Sequence, residues 1–183
     1  MNDVVDHDKR QFLRRVAALA GVVGVAGFAT PFVASLFPSK KSLEASGPVR
    51  VDLSQISPGK LHQVLWQGKP VTILHRTPEQ LQSLNSEADL SDPDSKFSKQ
   101  PDNVDPKIRS LPGPKEQYLV VLSVCTHLGC VPNYDVAENG FACPCHQSVF
   151  DLAGRVKKDQ PANSNLEIPP YRCEGNTLII GES

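Results

Sequence analysis

Cys125-Thr126-His127-Leu128-Gly129-Cys130 and Cys143-Pro144-Cys145-His146-Gln147-Ser148 each bring two cysteines and one histidine into six consecutive residues. Four of the five cysteines therefore fall within 21 residues, and Cys173 stands alone. Cysteines clustered this tightly point to a metal site, a disulfide, or both. Three chemistries compete for such a set. A mixed-ligand 2Fe-2S centre takes two thiolates on one iron and two imidazoles on the other. A structural zinc would use four of the six donors and leave the surplus unexplained. A cysteine-histidine nucleophile pair would need one thiol marked for activation, and neither box marks one. The other histidines, His7, His62 and His75, lie outside the boxes and are not read as ligands.

Around the boxes the pattern is that of short strands. Tyr118 to Val124 is a continuous apolar run leading straight into the first box. Val49 to Leu53 alternates as a strand, and Leu61 to Trp66 and Val71 to His75 flank a Gly68-Lys69-Pro70 turn. Thr77-Pro78-Glu79 has the chemistry of an N-cap opening a short helix. Tyr171 to Cys173 and Thr177 to Ile180 bracket a Glu174-Gly175-Asn176 turn, a closing hairpin. Asn85 to Lys115 mixes Ser, Asp, Pro and Lys without period and reads as a surface loop or insertion. The 16 Pro, 12 Gly and 6% aromatic content suit many turns better than long packed helices. With 19 basic against 20 acidic residues the chain lacks the basic excess that nucleic-acid binding needs.

The N-terminus reads differently. From Val16 to Ser39 no residue is charged, a run long enough to cross a hydrocarbon core as a helix. Lys9, Arg10, Arg14 and Arg15 precede it and only Lys40 and Lys41 follow, which places the N-terminus in the cytoplasm and the rest outside. Asp8-Lys9-Arg10-Gln11-Phe12-Leu13-Arg14 resembles a twin-arginine export signal with Lys9 in place of the first arginine. A cleaved secretory peptide is the alternative, but the apolar core is longer than such peptides carry and no A-x-A-like site follows. The expected divisions are residues 1–15 as cytoplasmic N-terminus, 16–38 as transmembrane helix, 39–48 as flexible tether and 49–183 as head.

The boxes also fit a known ligand pattern, C-x-H, a gap, then C-x-x-H, with 15 residues between His127 and Cys143. Together with Val131-Pro132 after the first box and Phe150-Asp151-Leu152-Ala153-Gly154-Arg155-Val156 after the second, they closely resemble the Rieske proteins of cytochrome bc1 complexes. The resemblance covers anchor, tether and head. It implies a mainly β chain: an antiparallel β-sandwich head with a small cluster-binding subdomain at about residues 125–161, preceded by one transmembrane helix. It implies a 2Fe-2S cluster on Cys125, His127, Cys143 and His146, with the two histidines exposed at the tip and taking part in the chemistry. Cys130 and Cys145 are then left to pair as a disulfide clamping the loops. Ser148 would hydrogen bond towards the cluster, and Leu128 would be a docking contact.

The implied partners are quinol, cytochrome b and cytochrome c1 in a dimeric complex of the bacterial inner membrane, with the head in the periplasm. Rieske subunits of an arsenite oxidase or a b6f-type complex are rivals, and a soluble oxygenase ferredoxin is a third. The anchor and the Cys130 and Cys145 pair argue against the ferredoxin, and Leu128-Gly129-Cys130-Val131-Pro132 favours the bc1 type. The chain departs from the family pattern at Gln147, where glycine is usual, and at Phe150, where tyrosine is common. It departs again at Gln160-Pro161-Ala162-Asn163, where Gly-Pro-Ala-Pro is familiar. Cys173 is expected to be a buried free thiol.

Overall fold

The computed structural model describes residues 7–39, 47–86 and 89–182. Residues 40–46, most of the expected tether, lie outside the described residues. The chain divides into two compact units, Met1–Leu43 and Glu44–Ser183. The first holds helix α1, His7–Ser35. It begins nine residues before the expected start at Val16, because the charged stretch from Asp8 to Arg15 continues the same helix, with Asp8 in the favourable first turn. Pro31 does not end it. The lost bond falls on the carbonyl of Gly27, four residues before, and the helix runs on to Ser35. The chain then tightens into turns, Leu36 N–H to Val33 O at 3.1 Å and Phe37 N–H to Ala34 O at 3.2 Å, before Pro38. Among the described residues α1 is the one helix long and apolar enough to cross a membrane.

The second unit is antiparallel β throughout. Strands β1 (Val49–Asp52), β9 (Thr177–Ile180) and β8 (Tyr171–Glu174) form one sheet in the order β1-β9-β8. A second sheet joins β2 (Leu61–Trp66), β3 (Lys69–His75) and β4 (Tyr118–Leu122) in sequence order. A third joins β5 (Asn133–Asp135), β6 (Gly140–Ala142) and β7 (Val149–Asp151). One apolar core runs through all three, including Val71, Ile73, Leu119, Val121, Phe141, Phe150 and Leu178. All five residues of β4 are buried, which explains why that run shows no alternation.

Two turns refine the expected picture. The β2-β3 connection is Gln67-Gly68, both at positive φ (51° and 73°), rather than Gly68-Lys69-Pro70. A two-residue hairpin of this type needs positive φ at both central positions, which proline's ring forbids. Pro70 therefore sits in β3 opposite Leu65, where its carbonyl accepts from Ser123 N–H at 2.8 Å. Helix α2, Pro78–Ser83, carries the expected cap: Thr77 and Gln80 exchange bonds between side chain and backbone N–H in a full capping box.

The stretch from Asn85 to Lys115 is not simply surface. Asp92, Val104, Arg109 and Leu111 are buried. Ser91 N–H donates to Val156 O at 3.1 Å, Lys158 N–H to Asp89 O at 2.9 Å and Ile168 N–H to Lys99 O at 2.9 Å. The segment straps the third sheet and the chain that follows it. Its lack of period is explained by single, irregular contacts in place of a repeated face.

Gly140 shows how tightly the third sheet is drawn. It pairs with Asp151, and a Cβ there would stand 2.0 Å from the carbonyl oxygen of Phe150. Backbone cannot yield as a flexible side chain does. Gly140→Ala should cost about 2 kcal/mol and lower the thermal midpoint of the chain by roughly 4–8 °C, read by circular dichroism. An unchanged midpoint would show that β6 and β7 are not held at this spacing.

Candidate metal centre

The first box joins β4 to β5 and the second joins β6 to β7, and both fold into the same local form. Cys125 N–H donates to Cys130 O at 2.8 Å while Gly129 N–H returns to Cys125 O at 2.9 Å. In the second box Cys143 N–H donates to Ser148 O at 2.8 Å and Gln147 N–H to Cys143 O at 2.9 Å. Each six-residue loop thus closes on itself, with its fifth residue at positive φ: 82° at Gly129 and 60° at Gln147. The glycine meets this at no steric cost, whereas the glutamine does not.

Chain hydrogen bonds hold the two loops against a third. Thr126 Oγ1 donates to Ser164 O at 2.6 Å. Ala162 N–H donates to Ser148 Oγ at 3.0 Å, leaving the hydroxyl proton free to point elsewhere. Gln160, which stands where the familiar loop has glycine, accepts from Val149 N–H through Oε1 at 3.3 Å. The altered loop is therefore tied to the second box by a side chain. The sequence marks Gln160 and Ala162 only as part of an altered loop and gives Thr126 no such role, because these contacts run between separate loops.

The residues singled out from the sequence come together here. Cys130 and Cys145 are joined as a disulfide, with Cα atoms 6.5 Å apart. Cys125 and Cys143 are free thiols, 2% and 3% exposed. The rings of His127 and His146 lie 4.7 Å apart, edge to face at 86°. His146 is exposed and His127 half-buried. Leu128 stands 71% exposed between them in sequence. The sulfurs of Cys130, Cys143 and Cys145 lie within 4.8 Å of one another, but the bonded pair has no thiolate to offer a metal, so only Cys143 of the three is a candidate donor.

Two observations test whether a metal group fits. His127 Nδ1 is buried and has no hydrogen-bond partner, an orphaned donor or acceptor of the kind a ligated nitrogen becomes once its metal is removed. Burial pushes the Cys125 thiol up, and the adjacent Cys143 adds to that, while the His127 N–H and the Ser148 hydroxyl oppose it. A buried thiol held up in this way is costly to ionise without a cation beside it. The residues present therefore fit a metal group held by sulfur on one side and imidazole on the other.

The remaining cysteine and histidines sit elsewhere. Cys173, in β8, is free but half-buried, where full burial was expected, because its strand belongs to the three-stranded β1-β9-β8 sheet and its side chain packs only against the margin of the core. His75 stacks on Tyr118 at 4.3 Å with its Nδ1 2.5 Å from Ile56 O, and His62 lies in β2. Phe150 is fully buried opposite Phe141 and has no hydroxyl to direct at the site.

An antiparallel β base bearing two Cys-His loops locked by a disulfide defines an iron-sulfur protein of mixed cysteine and histidine ligation. The Rieske [2Fe-2S] domain family matches residues 49–171, and the chain belongs to that family. Its cofactor is a Rieske-type 2Fe-2S cluster. The ubiquinol-cytochrome c reductase iron-sulfur subunit of Allochromatium vinosum is similar at 42% identity, over 97% of this chain and 90% of that one. The proteins of the same name from Blastochloris viridis and Bradyrhizobium diazoefficiens are each 38% identical, over 97% and 95% of this chain and 94% of their own length.

Gln147 supplies a direct test of the loop geometry. A non-glycine residue in the left-handed region costs roughly 1–2 kcal/mol, part of which glycine gives back through its freer unfolded chain. Gln147→Gly should raise stability by about 1 kcal/mol in thermal or denaturant unfolding, with iron content unchanged. A loss of stability would mean that the glutamine side chain makes a contact worth more than the strain.

Proposed function

We propose that the chain is the iron-sulfur subunit of a quinol-cytochrome c oxidoreductase of the cytochrome bc1 type, accepting an electron from quinol at cytochrome b and passing it to cytochrome c1. The carrying observation is the pair of imidazoles, His127 and His146, set 4.7 Å apart on loops whose two free thiols are buried. Cys125 and Cys143 would hold one iron and His127 and His146 the other. When bound, a 2Fe-2S group of this ligation supplies one-electron acceptance at a potential above that of all-thiolate centres, because imidazole is neutral where thiolate is charged.

The chain's own residues do the rest. His127, ligating through its buried Nδ1, keeps Nε2 to hold a proton at the surface; exposed His146 offers the same. Either Nε2 takes the hydroxyl proton of quinol as the electron leaves. Leu128, exposed on the same loop, is the apolar contact that docks this tip into the quinol pocket and excludes water from it. The Ser148 hydroxyl, fixed by Ala162 N–H, donates towards Cys125 sulfur and favours the reduced, more negative state.

Relatives named as reductase subunits at 38–42% identity over nearly the whole chain support this assembly. So does α1, with basic residues Lys9, Arg10, Arg14 and Arg15 at its start. In this reading α1 anchors the chain in a bacterial inner membrane with the N-terminus cytoplasmic and the head periplasmic, exported through the twin-arginine-like segment, and the complex is a dimer. The functional divisions are those expected from the sequence, with residues 125–161 as the cluster-binding part.

The test is redox titration of the purified full-length chain. A paramagnetic signal should appear on reduction, and its midpoint should be flat at low pH and fall as pH rises past the imidazole pKa of the oxidised form. The fall approaches about 59 mV per pH unit when one proton accompanies one electron. Ser148→Ala should lower the midpoint and Phe150→Tyr raise it, with iron unchanged. A colourless chain, silent on reduction, would point to zinc, and a midpoint independent of pH up to 10 would rule out the histidines as proton acceptors.

A further inference from the structure

Five charged side chains are buried among the described residues: Arg76, Arg109, Arg155, Asp92 and Asp151. Three positive against two negative leaves the interior one positive charge in excess. Arg155 pairs with Asp151 at 2.7 Å, and Asp92 spends its carboxylate on Lys96 N–H at 2.7 Å and on Phe97 N–H. Arg109 meets no carboxylate. Its Nη1 donates to Ala153 O at 3.1 Å and Gly154 O at 2.9 Å, its Nη2 to Leu166 O and its Nε to Gln100 Oε1 at 3.2 Å. Carbonyls satisfy its donors but leave its charge. Burial pushes Arg109 down to about 10, which still leaves it cationic at neutral pH. Asp151 and Asp92 act on this cation across space without touching it, and they offset only part of the cost of burying it.

The position of this charge gives it a use. Leu166, bonded to Arg109, is two residues from Ser164, whose carbonyl is held by Thr126 between the proposed ligands Cys125 and His127. The reach of two residues and two hydrogen bonds puts the guanidinium within about 15 Å of Thr126. Asp92 is as near, since its carbonyl accepts from the side chain of Asn165, the neighbour of Ser164, at 2.8 Å. A centre with two thiolates and two neutral imidazoles has no net charge when oxidised and one negative charge when reduced. A fixed positive interior therefore favours only the reduced form.

The geometry points to Arg109 as a potential-setting residue: with Asp92 and the other buried charges it holds a positive interior beneath the two loops that stabilises the reduced centre. This rests on the assignment of the centre proposed above. It also gives the Asn85–Lys115 segment, which supplies both Asp92 and Arg109, a part in electron transfer without contact with any ligand. One unit charge at about 15 Å and an effective dielectric constant of about 20 shifts the reduction equilibrium about sixfold. At 59 mV per tenfold for one electron, that is about 46 mV.

The experiment is potentiometric titration of the full-length, iron-loaded chain and three variants, with iron content and thermal stability measured alongside. Asp92→Asn keeps the acceptor oxygen and removes the negative charge, so the midpoint should rise, by about sixfold in the reduction equilibrium. Arg109→Gln should lower it by a similar factor, and Arg109→Lys, which keeps the charge but loses the fork, should hold it near wild type. A purely structural role would not move the midpoint in opposite directions. If Arg109→Gln loses its iron, Asp92→Asn and Arg109→Lys decide between them. An Asp92→Asn midpoint that is unchanged or lowered overturns the inference, as does Arg109→Lys falling well below wild type. A wild-type chain with no two-iron signal would instead overturn the assignment of the centre itself.

Discussion

Burial opposes the ionisation of the Cys125 thiol, and the head is arranged around that constraint. Cys125 and Cys143 must be thiolates to hold metal, and both lie almost wholly inside the protein. The compensation is local and specific. Backbone N–H of His127 and the hydroxyl of Ser148 favour the Cys125 thiolate. Two loops of the same form bring the thiols together, and the bond between Cys130 and Cys145 ties those loops across a sequence separation of 15. Sheet β5-β6-β7 supplies the frame, drawn so close at Gly140 that no side chain fits.

The same constraint divides the site into an inner and an outer half. The two free thiols are buried, His127 is half-buried, and His146 and Leu128 are exposed. In the proposed role this asymmetry would give a low-dielectric side that protects the thiolates and an accessible side where a proton can be held. In the proposed account, charge in the interior adds a longer-range influence. Asp92 and Arg109 come from a segment outside the boxes, and Arg109 is held by the carbonyls of Ala153, Gly154 and Leu166.

What was legible in the sequence follows from how local each feature is. The boxes were legible because ligand spacing within a loop is set by residues adjacent in the chain, and the β4 run and the Thr77 cap were legible for the same reason. The helix limits were less so, since nothing in an apolar run tells where the preceding charged residues stop being helical; α1 begins at His7. The turn after β2 was misplaced by the usual association of proline with turns, although the paired positive φ values at Gln67 and Gly68 exclude it. The strapping of Asn85–Lys115 was illegible because its contacts span 44 to 73 residues and leave no period behind. Gln160 stands out in the sequence only as a departure from glycine, and its bond to Val149 N–H, made by a side chain 11 residues away, leaves no local pattern.

Everything depends on Cys125, Cys143, His127 and His146 being the ligands of one two-iron centre. Nitrogen hyperfine spectroscopy of the reduced full-length chain, grown with 15N-histidine, reads the ligands without reference to activity. Two inequivalent, strongly coupled histidine nitrogens are predicted, both lost or displaced when His127 or His146 is replaced. A reduced signal with no histidine nitrogen coupled to it would mean that sulfur alone holds the iron, and would contradict the account.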